Sequence, residues 1–311
     1  MIISASRRTD VPAFYSEWFC RRLQEGFVLV RNPMNPRQVS RVSLSPAVVD
    51  CFVFWTKNPR PMLNKLPLLS EYDYYFQFTL NPYDHEIEVN LPPKAELIET
   101  FAELSDRIGK QRVVWRYDPI FLTAQITEDD HLRYFQELAS KLRAYTEKCI
   151  ISFLDLYKKT ARNLNGIPKV ACLTEEQIFT LAKGFAEIAG KFGLTIETCA
   201  EEVDLDLLGI EHGKCIDDRL IQRITGAELA VEKDKFQRKE CGCVNSIDIG
   251  AYNTCAHQCL YCYANSSNRQ VSTNRRRHQP ASPLLYGNLT AEDLITEKTM
   301  VSCKAVQGRL F

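Results

Sequence analysis

The chain has 311 residues, of which 45% are hydrophobic and 25% are charged, so it can bury a sizeable core and is not generally disordered. Its 39 basic and 39 acidic residues balance, which excludes a molecule held to nucleic acid or membranes by its overall charge. The N-terminus lacks an apolar signal segment, and no run of 18 apolar residues predicts a membrane span. We therefore expect a cytoplasmic protein without a membrane partner.

Short β-rich runs alternate with longer helical patterns through the first 220 or so residues. Runs rich in Val, Ile, Phe and Tyr predict strands at 2–6, 27–31, 51–56, 74–80, 112–118, 149–155 and 194–199, with a weaker one at 214–218. Helical patterns lie between them, at about 13–24, 94–108, 128–147 and 174–192. This alternation is typical of parallel βα units, so we predict an α/β fold.

The number of strands favours a (β/α) barrel or partial barrel, similar to a TIM barrel, over an open sheet. The pattern changes near residue 225, where charged and then cysteine-rich sequence replaces the alternation. We therefore predict a barrel-like region over residues 1–225. A C-terminal Cys-rich segment over residues 226–311 is expected to pack on the barrel mouth.

Polar side chains follow the predicted strands, and in barrels of this kind the working residues lie at the carboxyl ends of strands. Arg8 follows the first strand and Lys57 the third, and we predict both as cofactor-binding residues. Arg116 and Asp118 share a face of the fifth strand and Glu197 lies on the seventh, so these three are candidate catalytic residues. Strand-to-loop transitions are polar in most proteins, but the recurrence here predicts a pocket for a small polar or anionic substrate.

The densest basic run of the chain is Arg275–Arg277, followed by His278. A solvated loop is the simpler interpretation of this run, although a phosphate-bearing ligand or a nucleic acid would also fit it. Aromatic residues do not alternate with these arginines as they do in a base-stacking surface. A nucleic-acid partner is therefore a minor hypothesis.

Twelve cysteines are many for a cytoplasmic chain. Most of the seven scattered ones are expected to be small core residues. The remaining five lie within 22 residues: Cys241, Cys243, Cys255, Cys259 and Cys262. A disulfide framework needs an oxidising compartment, so this clustering indicates a metal site.

Three of the clustered cysteines have the spacing Cys-x3-Cys-x2-Cys, at Cys255, Cys259 and Cys262. Closely spaced thiolates on one loop can hold an iron–sulfur cluster. Three sulfurs directed at three irons leave the fourth iron free to bind a substrate or cofactor. The spacing therefore predicts an iron–sulfur loop with one open position.

This spacing, with Tyr261 before the last cysteine, resembles the radical S-adenosylmethionine (SAM) motif. The run CLYCYA is similar to the cluster loop of radical SAM enzymes of the spore photoproduct lyase type. Four further runs, SASRRTDVPAFY, FWTKNP, WRYDPI and SPLLYGNL, together with the cysteine segment resemble an uncharacterised prokaryotic family, domain of unknown function 1848. That second resemblance covers nearly the whole chain and implies no established activity.

The radical SAM resemblance implies that Cys255, Cys259 and Cys262 ligate a 4Fe-4S cluster whose open iron chelates SAM. It implies that the backbone at Tyr261 lies near the adenine, and that a 5′-deoxyadenosyl radical acts on an unknown polar substrate. An electron donor such as flavodoxin or ferredoxin would be the partner. The loop here follows the barrel-like region instead of its first strand, so either it folds back over the barrel mouth or the elements are rearranged.

Cys241 and Cys243 are the remaining metal-ligand candidates, and they could close the cluster, bind a second metal with help from elsewhere, or stay free. A closed cluster would make the protein non-catalytic or an electron-transfer protein. Five neighbouring cysteines could also form a structural zinc module on a barrel that does unrelated work. A nucleic-acid repair role and a redox dithiol at Cys259 and Cys262 are minor hypotheses.

Overall fold

Parallel strands form the main sheet of this computed structural model, in which residues 1–156, 158–170 and 172–305 are described. Within those residues the sheet has eight strands, and every neighbouring pair is parallel. In spatial order they are β10 (Ile247–Asp248), β1 (Ile2–Ser4), β4 (Cys51–Thr56), β5 (Tyr74–Thr79), β6 (Val113–Ile120), β7 (Lys148–Phe153), β8 (Thr195–Thr198) and β9 (Glu211–His212). The predicted α/β class is confirmed.

A second, three-stranded sheet contains the strand predicted at 27–31. There β2 (Phe27–Arg31) runs antiparallel to β3 (Gln38–Ser43), and β11 (Leu294–Glu297) lies parallel to β3 on its other side. The expectation that 27–31 joins the parallel sheet was therefore wrong. β2 pairs with β3, the next strand along the chain, as a hairpin. In the main sheet β1 therefore lies directly beside β4.

The weak strand predicted at 214–218 is also wrong. Asp218 begins a helix there, because the Asp217 side chain accepts hydrogen bonds from the backbone N–H groups of Arg219 and Leu220 at 3.0 and 3.2 Å. The strand beside β1 comes instead from Ile247–Asp248 in the C-terminal segment. The order of strands along the main sheet therefore depends on a segment that the sequence patterns did not predict.

The four predicted helical segments are helical in the structure, although one of them is divided into two helices. Further helices are present that the sequence patterns did not predict. The segment predicted at 13–24 is two helices that meet at Tyr15. None of the helices in the described part of the chain has both the length and the apolar character needed to cross a membrane. The helices are α1 (Val11–Phe14), α2 (Ser16–Glu25), α3 (Arg60–Leu63), α4 (Lys94–Ile108), α5 (Glu128–Leu142), α6 (Lys158–Leu164), α7 (Glu175–Phe192), α8 (Asp218–Thr225) and α9 (Asn268–Arg276).

Alternate residues of the strands pack into two different clusters, one on each face of the main sheet. Phe52, Phe54 and Phe76 belong to the large cluster that includes residues of α2, α4, α5 and α7. Cys51 and Tyr75 belong to a smaller cluster on the other face, which is completed by residues 215–244. Burial on both faces is typical of parallel strands and explains their nearly continuous apolar sequences.

A closed barrel is not found. β9 and β10 lie at the two ends of the strand order, and no pairing joins them within the described residues. Residues 215–244 pack on one face of the sheet, where the Val244 N–H donates to the Ile216 carbonyl at 3.2 Å and Tyr75 of β5 donates to the Cys215 carbonyl. The structure is therefore an open eight-stranded parallel sheet with one face covered by a segment that includes α8.

The C-terminal segment contacts the earlier part of the chain at several places besides β10 and β11. The Trp18 indole N–H donates to the Ser282 carbonyl at 2.9 Å, and the buried Arg22 guanidinium donates to the Ala281 carbonyl at 3.1 Å. The division into residues 1–225 and 226–311 stays a prediction. Residues 306–311 of the predicted second segment lie outside the described part.

Candidate functional site

A cavity of about 1340 Å³ opens at the carboxyl ends of the main-sheet strands. Residues in the second half of β6, and residues at or just after the ends of β1, β4, β7 and β8, form one side of it, and the C-terminal segment contributes to the other. All but one of the predicted site residues line this cavity: Arg8, Lys57, Arg116, Asp118, Cys241, Cys243, Cys255, Cys259, Tyr261 and Cys262. The fold thus brings together candidates that are far apart in the sequence.

The cysteine loop, residues 255–262, is held against the segment that follows β5. The Leu260 N–H donates to the Ile87 carbonyl at 3.0 Å, and the Asn90 N–H donates to the His257 carbonyl at 3.1 Å. The Asn90 side-chain amide donates to the Ala256 carbonyl at 2.8 Å. These contacts satisfy much of the loop backbone and fix its position at the cavity wall.

Tyr261 holds the cysteine loop in place through its hydroxyl and its ring. Its hydroxyl donates to the Glu88 carboxylate and accepts a hydrogen bond from the Asn81 side-chain amide at 3.2 Å. Its ring lies among aromatic neighbours, with centroids 5.7 Å from Tyr83 and 5.9 Å from Phe121. Burial raises the pKa of this hydroxyl well above its ordinary value, so it acts as a neutral hydrogen-bonding group.

Glu88 is a buried carboxylate that the sequence analysis did not single out. It accepts from the Lys57 ammonium at 2.7 Å and is also paired with Lys94. Burial alone would raise the pKa of Glu88, but the two ammonium groups outweigh it and lower the pKa to about 2. The Lys57 ammonium also lies 5.3 Å from the centre of the Tyr261 ring. The contact between Lys57 and Tyr261 therefore connects the end of β4 to the cysteine loop.

His257 lies within the cysteine loop, where it is buried and paired with Asp10. Because a carboxylate only accepts, His257 Nε2 donates to Asp10 Oδ2 at 2.9 Å. Asp10 also accepts from the Lys57 backbone N–H at 2.7 Å and from the Thr56 hydroxyl at 2.8 Å. The buried Nδ1 of His257 has no hydrogen-bond partner among the described residues, and His257 lines the cavity. The Nδ1 atom is therefore a buried polar group whose hydrogen-bonding capacity the described residues do not satisfy.

Arg8 lies on the cavity wall beside the end of β10. Asp248 accepts from the Ser6 hydroxyl at 2.7 Å and from the Arg7 backbone N–H at 2.8 Å. Arg8 Nε is 3.8 Å from Asp248 Oδ1, and its guanidinium lies 5.3 Å from the centre of the Tyr252 ring. Asp248 therefore holds this loop through the Ser6 hydroxyl and the Arg7 backbone and lies near the Arg8 guanidinium.

Arg116 and Asp118 form a fixed ion pair at the end of β6. Arg116 Nε donates to Asp118 Oδ2 at 2.9 Å, and Arg116 Nη1 donates to the Cys215 sulfur at 2.7 Å. The other Asp118 oxygen accepts from the Ser152 hydroxyl. Arg116 is only 5% exposed, so this pair can orient a polar ligand in the cavity without rearranging.

Glu197, the third predicted catalytic residue, is not among the described residues that line the cavity. It pairs with the Lys148 ammonium at 2.6 Å, and Lys148 is also 3.2 Å from Asp217. The contacts of Glu197 are those of an ion-pair network between β7, β8 and the N-terminus of α8. Its catalytic role stays a prediction.

Cys241 and Cys243 lie with two cysteines that the sequence analysis counted among the scattered ones. The Cys199 and Cys215 sulfurs are 2.9 Å apart. Cys243 interacts electrostatically with both Cys215 and Cys241. The only sequence signal is that Cys199 directly follows a strand, and nothing local indicates that it meets Cys215.

The cysteines that line the cavity form two groups, one of Cys255, Cys259 and Cys262 and one of Cys199, Cys215, Cys241 and Cys243. Neither group is arranged as a complete metal centre. Among residues 1–156, 158–170 and 172–305, no three or more His, Cys, Asp or Glu side chains are placed so that they could hold a metal ion as they stand. Any metal at these cysteines would require their side chains to turn towards a shared centre. The assignments of Cys241, Cys243, Cys255, Cys259 and Cys262 as ligands therefore stay predictions.

Two of the three arginines in the basic run at 275–277 contact aromatic rings of the chain itself. The Arg275 guanidinium lies 5.2 Å from the centre of the Phe14 ring, and that of Arg277 lies 6.0 Å from the centre of the Tyr286 ring. Such cation–π contacts hold the two guanidiniums on the protein's own aromatic rings. A nucleic-acid partner stays a minor hypothesis.

A family model described as Domain of unknown function (DUF1848) matches residues 2–264 of the chain. The chain belongs to this family. The matched part of this DUF1848 member includes both cysteine groups, Glu88 and the Arg116–Asp118 pair. Comparison with curated proteins found no match, and comparison with solved structures found none either.

Proposed function

We propose that this protein is an iron–sulfur enzyme of the radical SAM type, acting on a small polar or anionic substrate in the cavity. Cys255, Cys259 and Cys262 would hold a 4Fe-4S cluster with one iron left for SAM. The observation that carries the proposal is that all three cysteines line one large cavity together with cationic side chains. In this proposal the open sheet is a partial barrel, and the cavity is its mouth.

The donor set fits such a cluster. The three cysteines of one loop line the same cavity, and cysteine thiolates are the ligands that iron–sulfur clusters take. Burial raises the pKa of the Cys259 thiol to about 12, and the nearby Lys57 ammonium acts against that shift. The buried Nδ1 of His257, in the same loop, has no hydrogen-bond partner in the described part of the chain, as expected where a bound group completes the site.

When bound, a reduced cluster of this kind supplies an electron to the sulfonium of SAM, and the cofactors carry the difficult chemistry. The part of the chain is to bind, orient and exclude water. We propose that Arg8 and Lys57 bind the carboxylate of SAM and that the backbone at Tyr261 lies along its adenine. A flavodoxin or ferredoxin would supply the electron.

The Arg116–Asp118 pair is proposed to bind the substrate. Asp118 accepts from both Arg116 and Ser152, so its position is fixed before a ligand arrives. A guanidinium and a carboxylate side by side suit a ligand with both an acceptor and a donor group. Glu197 is left out of this proposed site, because its contacts are with Lys148 outside the cavity lining.

Anaerobic reconstitution with iron and sulfide, followed by reduction and EPR spectroscopy with and without SAM, tests the proposal. We expect a 4Fe-4S signal that shifts when SAM is added. The component that shifts should be lost when Cys255, Cys259 and Cys262 are all replaced by alanine.

Cys172→Ala is the matched control, because Cys172 is exposed and belongs to neither cysteine group. It should leave the SAM-dependent shift unchanged. A cluster signal that SAM does not alter would contradict the proposal and favour an electron-transfer protein. A colourless protein that binds zinc and no iron would favour the structural zinc alternative.

A further inference from the structure

Four cysteines from three separate parts of the chain converge on one side of the cavity. Cys199 follows β8, Cys215 follows β9, and Cys241 and Cys243 lie in the loop before β10. Cys215, Cys241 and Cys243 are at most 7% exposed, and Cys199 is partly buried. The convergence is a product of the fold, since 42 residues separate Cys199 from Cys241.

The four cysteines lie near one another in the cavity wall. Cys199 Sγ is 2.9 Å from Cys215 Sγ, and Cys243 interacts electrostatically with both Cys215 and Cys241. The Ile216 backbone N–H donates to Cys243 Sγ at 3.4 Å. Four cysteines gathered at one place are more than core packing requires, because a buried cysteine in a core behaves as a small apolar group.

We propose that Cys199, Cys215, Cys241 and Cys243 bind a second iron–sulfur cluster, separate from the Cys255–Cys262 loop. Four thiolates complete the ligand set of such a cluster, so no iron is left open for SAM. The second cluster is therefore an electron carrier, and its existence does not depend on SAM chemistry at the first loop.

The electrostatic surroundings suit an anionic cluster. A 4Fe-4S core with four thiolates carries net negative charge, and two guanidiniums face these sulfurs. Arg116 Nη1 donates to Cys215 Sγ at 2.7 Å, and Arg7 interacts electrostatically with Cys243 and Cys215. Donors to ligand sulfurs, here Arg116 and the Ile216 N–H, stabilise and tune such clusters.

The available space favours a cluster over a single zinc ion. In a tetrahedral zinc site, four sulfurs enclose the ion at separations of about 3.8 Å, given a zinc–sulfur bond of about 2.3 Å. Here all four cysteines border the cavity of about 1340 Å³, so their sulfurs can part towards it around a larger inorganic core. Cys51, which belongs to the same apolar cluster, does not line the cavity.

The test uses the full chain with Cys255, Cys259 and Cys262 replaced by alanine, which removes the first loop as a ligand. After anaerobic reconstitution we expect about four irons and about four sulfides per chain in this variant, against about eight of each in the unaltered protein. Adding Cys199→Ser and Cys215→Ser should remove this iron and sulfide. Adding Cys51→Ala, the buried matched control, should leave both in place.

Folding is checked by circular dichroism. If the Cys199→Ser/Cys215→Ser protein does not fold, Cys241→Ser carries the same test, because Cys241 lies outside every described helix and strand. A folded triple-alanine variant that takes up no iron and sulfide overturns the proposal. The proposal is also overturned if the iron content of the triple-alanine variant is unaffected by the cysteine-to-serine changes, or if that variant binds zinc without sulfide. Loss of the SAM-dependent signal alone leaves the second cluster intact and contradicts only the proposed function.

Discussion

Replacing the buried Glu88 by Gln should destabilise the protein substantially. Glu88 is 1% exposed and accepts from Lys57, Lys94 and the Tyr261 hydroxyl. The amide of Glu88→Gln has nearly the same shape but no charge, so it leaves two ammonium groups without their counter-ion. Lys57 is itself only 14% exposed in its side chain, so water compensates little of the loss.

The size of the effect follows from the proton affinity of the carboxylate. The pKa of Glu88 is lowered from 4.5 to about 2, and at about 1.4 kcal/mol for each tenfold change this corresponds to about 3 kcal/mol. Because the folded pKa is depressed, this stabilisation is present at neutral pH and is lost as the pH falls from 4.5 towards 2. Breaking a buried ion pair costs a similar amount, about 3–5 kcal/mol.

Guanidinium unfolding of the metal-free protein at neutral pH, followed by circular dichroism, measures this free energy. We expect Glu88→Gln to lower the free energy of unfolding by about 3 kcal/mol. Glu86→Gln is the matched control, because the Glu86 side chain is exposed two residues away and should change stability by less than about 0.5 kcal/mol. Equal stability of the two variants would refute the reasoning.

Three further changes test the fold. Burial lowers the pKa of His131 to about 4, so the free energy of unfolding should fall by about 3 kcal/mol as the pH drops from 6.5 to 4. When unfolding is measured across that pH range, the His131→Gln variant should show a weaker dependence on pH. Trp18→Phe removes the hydrogen bond to Ser282 and should lower the unfolding free energy by about 1–2 kcal/mol in denaturant titrations. Gly250→Ala would put a Cβ 2.0 Å from the Ser6 hydroxyl oxygen, and should lower the thermal midpoint through about 1–3 kcal/mol of strain.

Each of these has a control or an opposite outcome. Gly190→Ala in α7 meets nothing within 4 Å and should not destabilise, so equal effects of the two alanines would contradict the clash. A pH dependence that persists in His131→Gln would assign it to another group. A Trp18→Phe protein as stable as the unaltered chain would mean that the contact with the C-terminal segment contributes nothing.

The central strands could be predicted because each is a short apolar run buried on both sides. The runs at 51–56, 74–80, 112–118 and 149–155 agree closely with β4, β5, β6 and β7. The two-residue β10 has no such pattern, and only its pairing with β1 makes it a strand. Pairing across the whole chain is a tertiary property, which local composition does not record.

The site was predictable only where its residues are neighbours in sequence. Cys255, Cys259 and Cys262 form one motif, whereas Cys199 joins Cys241 and Cys243 through the order of strands and loops. Glu88 lies in the loop sequence HEIEV, where an acidic residue reads as a surface charge. It is recognised as a buried counter-ion only when the fold surrounds it with lysines.

The most direct test of the central claim, that Cys255, Cys259 and Cys262 leave an iron open for SAM, is electron–nuclear double resonance on the reduced, reconstituted protein. SAM labelled with ¹⁵N in its amino group and ¹⁷O in its carboxylate would be added to the protein and to its triple-alanine variant. The account predicts hyperfine coupling of both labels to the cluster in the protein and none in the variant. A cluster spectrum without either coupling would contradict it.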